Sequence, residues 1–333
     1  MRHDVARRIV AALPTATGMV LVRDRCGRDE IVDAVVGACV GRGLDPVVER
    51  VSNEVLRELI GSRSPAELAM WDVERAAVAE QVDGLIVLGG WPADLDGLPA
   101  ASVAAWSAAV GRVESALEGR HVPTVVCAIP TMYVADRLGT TAQQLDERVL
   151  PSLLVPDSDL RADIDRLVTL LRSSATVRVD TSAGSLHLQR GGRPVMTDDG
   201  VIDDADIAAG AVVSNLPAGS LYWTVIEHAT RGAIALTDGS VLEFDGDGRV
   251  RDGRYAGERV SHVGIGTNPK VSGEIGWTIV DEHRPGAVFL ALGENRYMGG
   301  ENESAINVDL MPDSPTVVFG ETIVVEAGSL PAH

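Results

Sequence analysis

Up to about residue 172 the chain alternates between two hydrophobic periods. Continuous apolar runs of strand length stand at Gly18–Arg23 (GMVLVR), Gly84–Gly89 (GLIVLG) and Thr124–Ile129 (TVVCAI), and Pro46–Val51 adds a further strand. Apolar runs without alternation are what strands look like when a parallel sheet is covered on both faces. Between them the apolar residues recur at helical spacing, first from about Arg28 to Val40. A second helix starts at Ser64-Pro65, an N-cap followed by a first-turn proline, and runs to about Gln81. An alanine-rich helix precedes Thr124, and Asp157–Leu171 closes the section. Strands alternating with helices predict a mostly parallel α/β domain over 1–172.

After Ser173 the texture changes. Thr176–Asp180 and Ser185–Gln189 read as short alternating strands, and glycine turns recur at Gly191-Gly192, Gly239, Asp245–Gly248 and Gly253. Closely spaced strands with few helical stretches predict a β-rich, α+β second domain over 173–333. Asp198–Asp206 (DDGVIDDAD) reads as a solvated acidic loop, and no internal repeat is visible.

Composition narrows the function classes. The 333 residues are 45% hydrophobic, which excludes a disordered chain, and carry a formal charge of −19, which argues against a nucleic-acid partner. No apolar run reaches the ~18–20 residues that a membrane span needs. Asp4, Pro14 and Gly18 break up the start of the chain, so Met1–Val22 reads as a helix entering a strand and not as a leader. Cys26, Cys39 and Cys127 have neither CxxC spacing nor a disulfide framework, which predicts reduced thiols and a cytoplasmic location. The expected partner is a small-molecule substrate. Of the aromatic residues, Tyr222, Trp223, Phe244, Tyr255, Trp277, Phe289, Tyr297 and Phe319 all follow residue 220. A pocket for a flat ligand is therefore expected in the second half.

Candidate chemistry clusters there too. His262 lies at the end of a strand in SHVGIGTNP, directly before a Gly-x-Gly turn where backbone can approach a ligand closely. In GENRYMGGENESAINVDLM, Asn307 and Asp309 share one face of a strand. A histidine from a neighbouring strand with that pair makes an O,O,N donor set for a divalent cation; a polar loop before a strand is the plainer alternative. His228 follows Glu227 in VIEHATRG. There is no GxSxG, P-loop or HExxH, and the glycines near 293–300 do not follow the strand–turn–helix order of a dinucleotide site.

The runs GIGTNP, VDEHRPGAVFLALG and GGENESAINVD, with NLPAGS at 215–220, resemble the C-terminal domain of the aminopeptidase T/AmpS-like metallo-aminopeptidases. The resemblance covers most of the chain and implies that fold and a homodimer. Residue by residue it departs from the peptidase metal set. Ser220 stands where NLPxGE ends in glutamate, His262 where a glutamate precedes GIGTNP, and Phe289 and Asn307 where the peptidases have histidines. Only Asp309 matches. The 2,5-dihydroxypyridine dioxygenase branch of the superfamily carries SHIG, similar to SHVG here, and HLD, similar to Asn307-Val308-Asp309. That resemblance implies one Fe(II) held by His262 and Asp309, with Asn307 as a weaker third donor. Arg296, Tyr297 and His228 are then candidates for charge and proton transfer, and Ser220, Tyr222, Trp223 and Phe289 for the substrate wall. A hydrolase or lyase on the same fold, and a non-catalytic ligand-binding descendant, are the alternative readings.

Overall fold

The computed structural model describes residues 1–14, 18–89, 95, 97–304 and 306–331, apart from the side chains of 53, 54, 73, 74, 118 and 297. The chain divides into two compact units. One comprises 1–154 and 200–216, and the other 155–199 and 217–333. The expected cut at 172 lies one helix beyond the first of these divisions.

The first unit begins with α1 (Arg2–Ala11), β1 (Met19–Asp24), α2 (Asp29–Gly41) and β2 (Asp45–Arg50). Then follow α3 (Asn53–Ser62), α4 (Pro65–Ala69), α5 (Asp72–Ala79), β3 (Gly84–Gly89), α6 (Ala100–Gly119), β4 (Thr124–Ala128), α7 (Met132–Arg137) and α8 (Ala142–Leu153). The predicted 64–81 helix is thus two, parted at Met70-Trp71. Ser64 caps α4, with Glu67 reaching back to the Ser64 backbone as the sequence pattern requires. β1 and β3 are buried along nearly their whole length, as strands covered on both faces must be. All three cysteines are free and buried. Burial pushes the Cys26 thiol up to about 12 and the Cys39 thiol to about 11, so neither is a ready nucleophile.

The second unit takes α9 (Asp157–Arg172), β5 (Thr176–Thr181), β6 (Gly184–Gln189) and β7 (Val195–Asp198). The chain then returns to the first unit for α10 (Asp204–Ala209) and β8 (Val213–Leu216), which completes a parallel sheet of order β2-β1-β3-β4-β8. The acidic stretch 198–206 is therefore not a loop throughout. Asp198 ends a strand and is buried, and Asp203 accepts from Ala205 and Asp206 N–H to cap α10.

The remaining strands are β9 (Ser220–Thr224), β10 (Arg231–Ala235), β11 (Val241–Phe244), β12 (Val260–Gly266), β13 (Val288–Gly293), β14 (Asn307–Leu310), β15 (Thr316–Phe319) and β16 (Thr322–Val325). They form two antiparallel sheets, of order β11-β10-β6-β5-β15-β16 and β14-β13-β12-β9-β7. The parallel first half and β-rich second half are as the patterning predicts. Among the described residues, no helix is long and apolar enough to cross a membrane.

Candidate functional site

The site lies on one face of the five-stranded sheet in the second unit. Directly opposed residues of antiparallel strands point to the same side. His262 opposes Ala291 of β13 and Thr224 of β9, and Gly264 opposes Phe289 and Tyr222. Gly266 opposes Ser220, which opposes Asp198 of β7. Across β13, Ala291 opposes Asp309 and Gly293 opposes Asn307. His262, Asp309, Asn307, Phe289, Tyr222 and Ser220 are thereby brought to one face, with Asp198 and Thr224 added.

Trp223 is not with them. Its neighbour Tyr222 faces the site, so strand alternation turns Trp223 to the opposite side. There it is fully buried and meets Phe319 of the six-stranded sheet edge-on, ring centroids 5.6 Å apart. It fills the core and lines no pocket on the site face. His228 is exposed in a single 3-10 turn at Glu227–Ala229. Arg296 is exposed too and is engaged by Glu294 at 2.9 Å and Glu303 at 3.5 Å. The Tyr297 side chain lies outside the described residues.

The glycines of β12 shape this face. A Cβ on Gly264 would fall inside the Phe289 ring, and one on Gly266 would strike the backbone of 282–284. An aromatic ring and a crossing segment thus lie flat on the strand, beside His262. Gly264→Ala must displace Phe289 and should cost about 1–3 kcal/mol, as overpacked cores do, read by urea denaturation. An unchanged midpoint would contradict the packing described.

His262 is held from both sides. Its ring lies 5.8 Å from Tyr222 and 5.9 Å from Phe289, centroid to centroid. Nδ1 is 3.1 Å from the Ser261 hydroxyl, which donates to the Glu294 carbonyl at 2.9 Å. A carbonyl only accepts, so the single hydroxyl proton goes to Glu294 and the Ser261 oxygen accepts from Nδ1–H. That places a proton on Nδ1 and turns Nε2 towards Asp309 Oδ1, 3.3 Å away. Two acceptors converging at this distance are reconciled by a proton or by a metal cation. Asn307, two residues before Asp309, lies on the same strand face and is exposed. Among the described residues, no group of three or more His, Cys, Asp or Glu is arranged to hold a metal. Around His262 the face brings together one imidazole and the Asp309 carboxylate, with the Asn307 amide on the same strand.

Glu282 escaped the sequence reading. In VDEHRPG it sits in a charged run that reads as solvated surface, yet it is buried, against the Gly266 end of the site face. Burial, reinforced by Asp309 and then Asp198, pushes its carboxyl well above the usual range. His283 beside it, Nε2 3.4 Å from Glu282 Oε1, is pushed down to about 4 by burial and is neutral at pH 7.

A second cluster fixes the loop between β13 and β14. Glu227 Oε1 and Oε2 accept from Arg193 at 3.1 and 2.8 Å, and Oε1 also accepts from Asn295 Nδ2 at 2.9 Å and Glu301 N–H at 2.8 Å. Asn295 donates onward to the Ser261 carbonyl, and Asn302 to that of Val260, both at 2.9 Å. The loop is thereby tied to the strand that carries His262. Burial works to raise the Glu227 carboxyl, but these donors and the Arg193 charge outweigh it and hold it below the usual range. His228, the candidate of this segment, is exposed, and the buried group with partners is the adjacent Glu227.

No family model matches the chain, and no curated protein does. Solved structures that match over nearly their whole length include two of known identity. Wild-type AmpT from Thermus thermophilus is 14% identical with a TM-score of 0.76, covering 99% of each chain. The 2,5-dihydroxypyridine dioxygenase of Pseudomonas putida KT2440 is 13% identical with a TM-score of 0.63, covering 100% of this chain and 97% of its own. The chain has the fold shared by these proteins.

Proposed function

We propose that the chain is a mononuclear metal-dependent enzyme, an Fe(II) oxygenase of small hydroxylated aromatic or N-heterocyclic rings. The observation that carries this reading is the pairing of His262 Nε2 with Asp309 Oδ1 at 3.3 Å, while Nδ1 is engaged by Ser261. The donor set fits a single divalent cation: a neutral imidazole oriented through its other nitrogen, a carboxylate, and the Asn307 amide oxygen as a weaker third. A dinuclear hydrolytic site needs bridging carboxylates, and the neighbouring positions are Ser220, Phe289 and Asn307. His262 and Asp309, with Asn307 as a weaker donor, would hold the metal, and bound Fe(II) would supply oxygen activation.

The chain's own groups supply binding and proton handling. The Tyr222 and Phe289 rings flank His262 and offer flat apolar walls to an aromatic substrate. Glu282, its carboxyl raised by burial and by the Asp309 and Asp198 charges, is the face's candidate for proton handling. Ser220 and Thr224 place hydroxyl groups in the same row.

Oxygen consumption tests the reading. Protein loaded anaerobically with Fe(II) should take up O2 with at least one member of a panel of hydroxypyridines and catechols. Turnover of an aminoacyl-p-nitroanilide with Co(II) or Zn(II), without oxygen uptake, would establish the hydrolase alternative instead. Ser261→Ala removes the group that sets the His262 tautomer and should weaken metal binding about 10–100-fold, as loss of an orienting partner does. Titration with a metal-sensitive dye reads the effect, and an unaltered affinity would contradict the role given to Ser261.

A further inference from the structure

The carboxyl edge of the parallel sheet in the first unit carries another candidate site, using none of the residues above. In open parallel sheets, ligands bind outside the carboxyl ends of the strands, where the loops diverge. Here the turn after β1, the entry to α3 and the turn from β4 into α7 enclose a crevice of about 650 Å³. That volume lies within the roughly 300–1,000 Å³ typical of small-molecule sites.

Its charge runs against that of the chain. Arg25, Arg28 and Arg57 line it with a single carboxylate, Asp146, in a protein of net charge −19. Arg28 is engaged by Asp146 at 2.6 Å and Glu30 at 2.9 Å. Arg25 differs. It is half-buried, and its side chain makes no hydrogen bond or ion pair among the described residues. Arg23, beside it, is taken up by Glu49 at 2.9 Å and Glu114 at 2.6 Å. Burial, with the Arg23 charge adding to it, disfavours the Arg25 cation. The charges of Glu49 and Glu114 offset only part of that cost, and a bound anion relieves the rest.

The remaining wall suits a small anion with an apolar body. Ser52 Oγ and Thr131 Oγ1 accept the N–H groups of Val55 at 3.2 Å and Val134 at 3.0 Å as helix caps. Each hydroxyl proton stays available to a ligand oxygen. Tyr133 and the exposed Met132 supply apolar surface beside them.

We propose that this crevice binds a small molecule carrying a phosphate or carboxylate group on a flat apolar body, its anion held by Arg25 and Arg57 and its body against Tyr133. Isothermal titration calorimetry at low ionic strength, with adenosine 5′-monophosphate, phthalate and uncharged adenosine as probes, tests it. One or both anions should bind, and adenosine should bind at least about tenfold more weakly, as expected when charge-assisted hydrogen bonds carry recognition. Binding of the nucleotide alone identifies a phosphate site, and binding of phthalate alone a carboxylate site. Arg57→Ala and Arg25→Met should each weaken the bound anion about tenfold or more, with an unaltered circular dichroism spectrum. If Arg25→Met does not fold, Arg57→Ala decides. His262→Ala should leave the affinity unchanged. No anion binding at millimolar concentration, equal binding of adenosine, wild-type affinity in Arg57→Ala, or loss of binding in His262→Ala would each overturn the proposal.

Discussion

His262→Ala should reduce retained Fe(II) to less than about a tenth of an equivalent per chain, and oxygen uptake should fall with it. The expectation follows from how few donors the face supplies. With His262 gone, one carboxylate and one exposed amide remain, and neither the Ser261 hydroxyl nor the flanking rings can replace a neutral imidazole. Circular dichroism and a urea midpoint separate metal loss from unfolding, and elemental analysis after gel filtration reads the metal itself. Full occupancy in the variant would remove His262 from the site. Asp309→Asn keeps the shape and removes the charge, and should lower occupancy in the same assay.

Glu227→Ala should destabilise the protein by about 3–5 kcal/mol, because it leaves the Arg193 guanidinium buried without its bidentate partner. The loss is compounded by the orphaned Asn295 amide and Glu301 N–H, both of which donate to the same carboxylate. The pH dependence carries a signature. The folded carboxyl titrates below its unfolded value of about 4.3, so its contribution is complete above that value and is lost as pH falls through the folded one. Between pH 7 and pH 3 the wild type should therefore shed stability that the variant never had, and the two urea midpoints should converge. Parallel midpoints across this range would show that Glu227 carries no such linkage.

Much of the fold was legible in the residues because the first half obeys simple periodicities. GLIVLG and TVVCAI emerge as β3 and β4, and Asp157–Leu171 as α9 to within a residue. What stayed hidden is the pairing of segments distant in sequence. The paired Thr124 of β4 and Val213 of β8 are 89 residues apart, and no local pattern announces that β8 joins the parallel sheet. That His262, Asn307 and Asp309 share one face was legible where motif and strand alternation agree. Alternation also held a signal that went unused: Tyr222 and Trp223 are consecutive on a strand and cannot both face one pocket. Glu227 and Glu282 were illegible for a physical reason. Charged residues in short runs ordinarily face water, and only tertiary packing turns these two inward, one onto Arg193 and the other onto the site face.

The central claim is that His262 and Asp309 together hold one metal ion. Elemental analysis after anaerobic Fe(II) loading and removal of free metal tests it most directly. About one iron per chain is expected, for a site in which His262 Nε2 and Asp309 Oδ1 converge. Less than about a tenth of an equivalent, in protein shown to be folded, would contradict it and leave the pair as a hydrogen-bonded remnant on an inherited scaffold.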